Sequence, residues 1–367
     1  MHLAILIGHF PPTAFGGAEL QAEGWARRLA ASHQVTVVTR CDANMPAGHA
    51  ARDGFDVVRL PVSRVPGWRT LADLRAIEAA VAELTPRADL LLCFQTFVSG
   101  LAGTRAGAKL GIPAVVWVRG EAEYRLGDSR FTRWLSPRVW SAAAGVLVQS
   151  EANRVDLLAE LERHATRRLS RVRERLSVVG NGLEMPAPTP IPATESVLSV
   201  GRLIADKGMD VVIAACARAR RPLTLAGEGP ERAALRALAD RLGGDVRFAG
   251  HVGRDELSRL YREATVVVLA ARRGEGLPNV LLEGMAHSRP VVATPCAGTR
   301  DLLTDEMNGL VVPAGDAVAL ASALERLAAE PELAARLAVS ARATAECFAW
   351  EKLLPRLERE LERWSRA

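Results

Sequence analysis

The sequence predicts an α/β protein of two domains, each built around a parallel sheet. Short apolar runs of strand length alternate with amphipathic segments of helix length, which is typical of parallel sheets covered by helices. The chain has 367 residues, which is long for one domain. Residues 186–192 contain four prolines and no hydrophobic periodicity, so they are predicted to form a linker that divides the alternating pattern into two halves.

The first half begins with a predicted strand and a glycine-containing loop. Residues 3–7 form a continuous apolar run, as expected for a buried parallel strand. Gly16 and Gly17 then precede an amphipathic helix, predicted over residues 18–32. A glycine pair lets the backbone approach a ligand closely, and this helix should start at the carboxyl edge of the sheet, where open α/β sheets bind ligands. The alternative is that the loop is only a tight connection.

Arg119 and His9 are candidate binding residues because each follows a predicted strand. Further strands of the first half are predicted at 34–39, 55–60, 90–94, 114–118 and 145–149. Arg119 follows the strand at 114–118, and its guanidinium can bind an anion but cannot accept a proton at ordinary pH. The alternative for Arg119 is a salt bridge within a loop. His9 is a candidate only because it lies at the end of the first predicted strand.

Two stretches of the first half combine many arginines with apolar side chains. Residues 124–140 contain four arginines beside Phe131, Trp134 and Trp140, and residues 160–176 contain six arginines. Arg and Trp at helical spacing can seat a helix on an anionic membrane surface. This pattern predicts a peripheral membrane contact, and the alternative is a solvated helix face with the tryptophans in the core.

The second half begins with a predicted strand, residues 196–200, and a loop that carries Arg202 and Lys207. A helix is predicted to start near Gly208, and two cations beside a helix N-terminus favour a diphosphate. Arginine supplies nearly all the basic residues, and lysine occurs only at positions 109, 207 and 352. The lysine at 207 therefore suggests that this position needs a compact charge on a slender side chain. The alternative is an ordinary surface charge.

Residues 264–295 are predicted to form a strand, loop, helix and strand that contain two notable carboxylates. Glu275 lies in the loop, and Glu283 lies on the helix predicted at 279–287. The two are separated by about two helical turns if the helix starts near Pro278, so they can contact opposite ends of one extended ligand. Gly276 and the first helical N–H groups are placed to bind an anion or a sugar hydroxyl. Either carboxylate taken alone is equally well explained as a solvated residue.

The segment EGLPNVLLEGMA, residues 275–286, resembles the E-x7-E signature of the retaining, nucleotide-sugar-dependent family 4 glycosyltransferases, also called glycosyl transferases group 1. Three further motifs resemble the same family: PPTAFGGAE at 11–19, GRLIADKG at 201–208 and FAWE at 348–351. The resemblance extends over essentially the whole chain, and its motifs are more specific in the second half.

The resemblance implies the GT-B fold, in which two Rossmann-like α/β domains face each other across a cleft. An acceptor-side domain is expected over residues 1–184 and a nucleotide-sugar donor domain over residues 185–347. Residues 348–367 are expected to form a helix that crosses back onto the N-terminal domain.

The resemblance also implies roles for individual residues. Arg202, Lys207 and Glu275 would be the catalytic residues, with the two cations holding the donor diphosphate and Glu275 binding the donor sugar. Glu283 would bind the ribose hydroxyls, and Val252 would lie near the base. Many members of the family have His at the position of Arg119, so that role cannot be transferred, and Arg119 and His9 are candidates for binding the acceptor or an anion. The implied donor-binding residues are Gly16, Gly17, Arg202, Lys207, Val252, Glu275, Gly276, Leu277, Pro278, Asn279 and Glu283.

The predicted function is transfer of a sugar, with retained configuration, from a nucleoside diphosphate sugar to a glycan or lipid-linked acceptor, such as a cell-surface glycan precursor. No cofactor and no metal are expected, because fixed cations and helix ends neutralise the diphosphate. Two alternatives remain. One is a nucleotide-sugar epimerase of the same fold, and the other is a non-catalytic sugar-nucleotide-binding protein, which the Arg at position 119 suggests.

Composition restricts the partners and the location. The net charge is +5 and the pI about 9.2, but no nucleic-acid recognition motif is present, so no nucleic-acid partner is expected. Five cysteines without a CxxC motif are typical of thiols in a reducing compartment. The first residues lack the basic region of a signal peptide, and no apolar run reaches the roughly 18 residues of a spanning helix. The expected location is cytoplasmic, with at most peripheral contact with the inner face of the membrane.

Overall fold

The chain forms two compact α/β units, which confirms the predicted fold class. The computed structural model describes residues 1–12, 16–41, 46–61, 69–273, 276–296 and 298–366. Unit 1 comprises Met1–Gly182 together with Glu351–Ala367, and unit 2 comprises Leu183–Trp350.

Within the described residues, unit 1 is built on an eight-stranded sheet. Its spatial order is β3-β4-β2-β1-β5-β6-β7-β8, and all neighbouring strands are parallel except β3 and β4. The order reverses between β1 and β5, and the carboxyl ends of two such strands border the crevice where open α/β sheets bind ligands. The strands are β1 (His2–Leu6), β2 (Gln34–Arg40), β3 (Gly48–Arg52), β4 (Phe55–Leu60), β5 (Leu90–Phe94), β6 (Ala114–Trp117), β7 (Gly145–Val148) and β8 (Leu176–Val178).

Helices connect the strands of unit 1, and the central strands β1 and β5 are buried along their whole length. A short π-helical turn, Thr96–Gly100, precedes α3, and a 3-10 turn, Thr166–Arg168, precedes α7. The helices are α1 (Gly17–Leu29), α2 (Arg69–Glu83), α3 (Leu101–Leu110), α4 (Glu121–Tyr124), α5 (Arg130–Ala142), α6 (Glu151–His164) and α7 (Leu169–Arg173).

Unit 2 contains a six-stranded, wholly parallel sheet in the part of the chain that the structure describes. Its spatial order is β11-β10-β9-β12-β13-β14. In chain order this is 3-2-1-4-5-6, the doubly wound arrangement with a switch point between the first and fourth strands. The strands are β9 (Val197–Val200), β10 (Leu223–Ala226), β11 (Val246–Gly250), β12 (Val266–Leu269), β13 (Val291–Ala293) and β14 (Leu310–Val311). The helices are α8 (Met209–Ala219), α9 (Arg232–Leu242), α10 (Arg254–Glu263), α11 (Asn279–Ala286), α12 (Ala317–Ala329) and α13 (Pro331–Glu346).

The last helix, α14 (Trp350–Ser365), packs against unit 1. The Trp364 indole lies against Gly145 at the start of β7, and a Cβ atom on Gly145 would come within 2.2 Å of that ring. Glu358 accepts a hydrogen bond from Ser32 at 2.7 Å. These contacts tie the end of the described chain to the strands and helices of its first half.

The proline-rich linker is held to unit 2 by two arginines. The buried guanidinium of Arg289 donates to the carbonyl oxygen of Thr189 at 2.6 Å. Arg342 donates to the carbonyl oxygen of Pro186 at 2.8 Å. Side chains far along the chain therefore fix a segment whose own sequence has no preference for helix or strand.

Strand β3 is a feature that the sequence analysis did not predict. Its sequence, GHAAR, has no alternating pattern, and four of its five residues are exposed. It forms because it pairs antiparallel with β4 at the edge of the sheet.

Candidate functional site

The candidate donor site of unit 2 lies at the switch point of its sheet. Arg202 and Lys207 are on the loop that follows β9. Gly276, Leu277 and Pro278 are on the loop that follows β12, the next strand in the sheet, and Asn279 starts α11. The topology therefore brings both predicted motifs to neighbouring strand ends. Glu275 lies outside the described residues, so its role stays a prediction.

Lys207 ends a short 3-10 turn, Ala205–Lys207, directly before α8. Arg202 is exposed and Lys207 is half-buried. Gly208 has a φ of +64°, and a Cβ atom there would lie 2.1 Å from the carbonyl oxygen of Ala270. Glycine is therefore required for the turn to enter the helix while packing against the end of β12.

Arg272 ties the loop after β12 to the Lys207 turn. Its guanidinium donates to both carboxylate oxygens of Asp210, at 2.9 and 2.7 Å, and to the carbonyl oxygen of Ala205. Burial acts to raise the pKa of Asp210, but the hydrogen bonds and charge of Arg272 outweigh it and lower that pKa. The pair is charged at neutral pH and holds the two loops in register.

The loop before α11 packs closely on a neighbouring turn. Gly276, Leu277 and Pro278 are buried, and α11 begins at Asn279 as the sequence predicts. A Cβ atom on Gly298 would lie 2.2 Å from the carbonyl oxygen of Gly276, so only glycine permits this approach. The start of α11 is thereby fixed at the carboxyl edge of the sheet.

Glu283 is half-buried in the second turn of α11 and is held by a residue that the sequence analysis missed. The Tyr261 hydroxyl, on α10, donates to Glu283 Oε2 at 2.8 Å. Burial raises the pKa of Glu283 to about 7, although the Tyr261 hydrogen bond and the charge of Arg254 oppose this rise. A carboxylate of this kind can accept hydrogen bonds from vicinal hydroxyls once it is ionised. Val252 follows β11 and is half-buried beside the core of unit 2.

In unit 1, Gly16 and Gly17 lie at the start of α1, where the sequence places them. Gly16 is the N-cap residue, and a Cβ atom there would come within 2.3 Å of the Glu19 carboxylate. The acidic side chain of the first turn therefore folds back over the glycine. Residues 13–15 of this loop lie outside the described chain.

Arg119 is buried at the end of β6. It contacts Asn181, which the sequence analysis did not identify as a site residue. Its Nη2 donates to Asn181 Oδ1 at 2.7 Å, and Gln149 donates to the same oxygen at 2.9 Å. The guanidinium carbon lies 5.4 Å from the Phe94 ring centroid and 5.1 Å from that of Trp117. Among the described residues, none forms a hydrogen bond with Nε or Nη1 of this guanidinium. Burial lowers the pKa of Arg119 to about 10, so it remains cationic at neutral pH.

His9 lies beside Arg40, at the end of β2. It is exposed, and its Nε2 lies 2.9 Å from Nη2 of Arg40, which also bonds Asp73. Because an Arg only donates, His9 Nε2 acts as the acceptor in this contact.

The chemistry available in unit 2 is that of fixed cations and a buried carboxylate. Over the described ranges, no group of three or more His, Cys, Asp and Glu residues is placed to hold a metal ion. All five cysteines are free thiols. The cations suit an anionic group such as a diphosphate, and Glu283 suits hydroxyls.

Two family models match the chain. Residues 194–330 match "Glycosyl transferases group 1", and residues 16–182 match "Glycosyl transferase 4-like domain". A lipopolysaccharide core biosynthesis glycosyltransferase of Rhizobium meliloti (strain 1021) is 39% identical over 159 residues. That alignment covers 42% of this chain and 44% of the relative, so less than half of the relative is matched.

Solved structures of the same fold cover nearly the whole chain. Sucrose-phosphate synthase from Thermosynechococcus elongatus has a TM-score of 0.83 at 22% identity, with 99% of each chain covered. An Anabaena protein crystallised with UDP-glucose has a TM-score of 0.79 at 19% identity, covering 99% of this chain and 100% of its own. These likenesses concern the fold.

Proposed function

The chain belongs to the group 1 glycosyl transferases, and from this premise we propose that it transfers a sugar from a nucleoside diphosphate sugar to an acceptor with retention of configuration. The observation that carries the proposal is the placement of Arg202 and Lys207 beside the loop that leads to Glu283. The motifs follow β9 and β12, which are neighbours at the switch point of one parallel sheet.

Each residue has a distinct part in the proposed reaction. Negative charge develops on the leaving diphosphate when the bond to the sugar breaks, and Arg202 and Lys207 neutralise it there. Glu283 accepts hydrogen bonds from the ribose hydroxyls. Glu275 binds hydroxyls of the donor sugar, and Gly276–Asn279 support it with the start of α11. Val252 lies beside the base.

The proposed acceptor is a glycan or lipid-linked glycan precursor, as the name of the Rhizobium relative suggests. In unit 1, Gly16 and Gly17 are proposed donor-binding residues, and Arg119 is the proposed binding residue for an anionic group of the acceptor. The proposed donor base is uracil or guanine, and a screen decides between them.

A thermal-shift screen tests the donor site. Wild type, Lys207→Ala and the control Lys352→Ala are heated with UDP, GDP, ADP and their common sugars. We expect one nucleotide to stabilise wild type and the control, because a ligand that binds only the folded state raises its stability. Lys207→Ala should lose the shift. Stabilisation of all three proteins to the same extent would contradict the proposed diphosphate site.

The proposed donor site predicts a pH dependence that comes from Glu283. Its folded-state pKa, about 7, is above the ordinary pKa of a glutamate, so its contribution to the stability of the free protein is present below that ordinary pKa and is lost as pH rises through 7. Nucleotide binding should show the opposite trend because it needs the carboxylate. The affinity at pH 6 is expected to be about tenfold lower than at pH 8.

Calorimetric titration of wild type and Glu283→Gln at both pH values checks this prediction. Protons on the nucleotide phosphate affect both proteins equally, so the difference between them isolates Glu283. An identical pH dependence in the two proteins would contradict the assignment.

We further propose that α5 contacts an anionic membrane surface. Among its side chains, Leu135, Val139 and Trp140 are buried, whereas Phe131 and Trp134 are 59% and 54% exposed. The Arg138 guanidinium lies 4.9 Å from the centroid of the Trp134 ring.

The second arginine-rich stretch, residues 160–176, adjoins α5, because α5 contacts both the turn at 166–168 and α7. Exposed rings beside exposed arginines match the physics of an interfacial helix. Among the described helices, none is long and apolar enough to cross a membrane.

Replacing Arg130 and Arg133 with glutamine should weaken binding to anionic vesicles on the order of 10-fold or more, since each cation near such a surface contributes about 1 kcal/mol. Co-sedimentation with vesicles of phosphatidylcholine, with and without phosphatidylglycerol, measures the effect. Phe131→Ser with Trp134→Ser should also weaken binding, and Val339→Ser, which changes an exposed residue of unit 2, serves as the control. Equal sedimentation of all variants would contradict the contact.

A further inference from the structure

The Tyr261 side chain connects α10 to the carboxylate of α11. Tyr261 is 1% exposed, yet its hydroxyl reaches Glu283 Oε2 at 2.8 Å. A hydrogen bond to a charged acceptor is stronger than one between neutral groups and strongly restricts the orientation of both partners. The tyrosine therefore restrains one of the two carboxylate oxygens of Glu283.

The tyrosine ring is itself fixed by His287. The two rings are stacked, with centroids 5.0 Å apart and an interplanar angle of 22°. His287 Nδ1 lies 2.7 Å from the carbonyl oxygen of Glu283, and its Nε2 lies 3.0 Å from Ser258 Oγ on α10. The imidazole therefore bridges the two helices, and the hydroxyl of Tyr261 has little freedom to turn away from Glu283.

This arrangement has a consequence for ligand selection. A flexible carboxylate can bind one hydroxyl in several orientations, whereas a carboxylate held by a fixed donor presents its remaining lone pairs in one geometry. The vicinal hydroxyls of a ribose require that single geometry. We infer that Tyr261 is a positioning residue, which acts through Glu283 and makes the protein select ribonucleotides over deoxyribonucleotides. This inference rests on the proposed function.

The test compares two ligands on two proteins. The nucleoside diphosphate identified in the thermal-shift screen and its 2′,3′-dideoxy counterpart are titrated calorimetrically into wild type and Tyr261→Phe. We expect wild type to bind the ribonucleotide more tightly than the dideoxy ligand. In Tyr261→Phe, the ratio of the two affinities should fall about tenfold because the affinity for the ribonucleotide falls, whereas that for the dideoxy ligand should change little. A tyrosine that only stabilises the fold would weaken both ligands by the same factor.

Tyr124→Phe is the matched control because Tyr124 is the other tyrosine of the chain and is also buried. Its hydroxyl oxygen accepts a hydrogen bond from Asn153 in unit 1, so its removal should leave the ligand ratio unchanged. Glu283→Gln should lose the preference as Tyr261→Phe does, and the double variant should be no worse than Glu283→Gln alone.

The pH profile gives an independent readout. The groups that act on the Glu283 carboxylate are Tyr261 and Arg254 on α10, and His287, directly after α11, contacts the backbone carbonyl of Glu283. Because the Tyr261 hydrogen bond lowers the pKa of Glu283, its removal should move the acid-side fall in ribonucleotide affinity to higher pH. A purely structural tyrosine would not move it.

The outcomes separate this inference from the proposed function. If wild type prefers the ribonucleotide and Tyr261→Phe keeps the same ratio and pH midpoint, the positioning role is overturned while the donor site stands. Equal affinity of wild type for both ligands would overturn the inference as well. If wild type binds no nucleoside diphosphate, the proposed function fails and the inference fails with it.

Discussion

Replacing Lys207 with alanine is expected to slow release of the nucleoside diphosphate from its sugar by about 100-fold, which corresponds to about 2.7 kcal/mol of barrier. The lysine lies on the turn after β9, beside the start of α8, where the proposed diphosphate would bind. A fixed cation at this position stabilises the charge that develops on the leaving group more than it stabilises the bound donor. The loss should therefore appear mainly in kcat.

Steady-state kinetics with the donor found in the screen measures this effect. Lys352→Ala removes a lysine from an exposed position of α14 and should leave the rate unchanged. A tenfold or smaller loss for Lys207→Ala, or a loss only in KM, would show that the lysine binds the donor without stabilising the transition state.

Replacing Gly208 with alanine is expected to destabilise unit 2 by about 3 kcal/mol, from about 1 kcal/mol of left-handed backbone strain and about 2 kcal/mol of overpacking. The new Cβ atom would lie 2.1 Å from the Ala270 carbonyl oxygen, so the Lys207 turn would have to move away from the end of β12. Donor binding should weaken together with stability, because the displaced turn carries Lys207.

Gly243→Ala is a close control for the backbone strain alone. Its φ is +63°, against +64° at Gly208, and no atom of the described residues lies within 4 Å of a Cβ atom placed there. Both glycines belong to unit 2, so urea denaturation of the same unit reports on both variants. Equal shifts of the unfolding midpoint would show that the contact with Ala270 is unimportant.

The fold was predictable from the sequence because strands and helices of a parallel sheet carry strong local patterns. The strands predicted at 90–94 and 55–60 coincide with β5 and β4, because β-branched and other apolar residues dominate both segments. Strand β3 lacks such a pattern and depends on pairing with β4. The packing of the linker on Arg289 likewise depends on a residue 100 positions away.

The candidate site was predictable only in part. Arg202, Lys207 and Glu283 follow strands that end at the same edge of one sheet. The positions of these strands can be predicted from the sequence, so the grouping of the three residues can be predicted as well. The partners of buried polar groups follow from tertiary packing instead. Tyr261 and Glu283 are 22 residues apart on different helices, and Arg119 and Asn181 are 62 apart. No local spacing indicates either pair.

Sugar transfer itself is tested most directly by measuring both products of one reaction by mass spectrometry. The protein is incubated with the stabilising nucleotide sugar and a set of lipid-linked glycan analogues, and the released nucleoside diphosphate and the glycosylated acceptor are quantified. We predict equal amounts of the two products, with the configuration of the transferred sugar retained by NMR. A nucleotide sugar recovered as its epimer, or bound without turnover across the acceptor set, would contradict the proposed transferase activity.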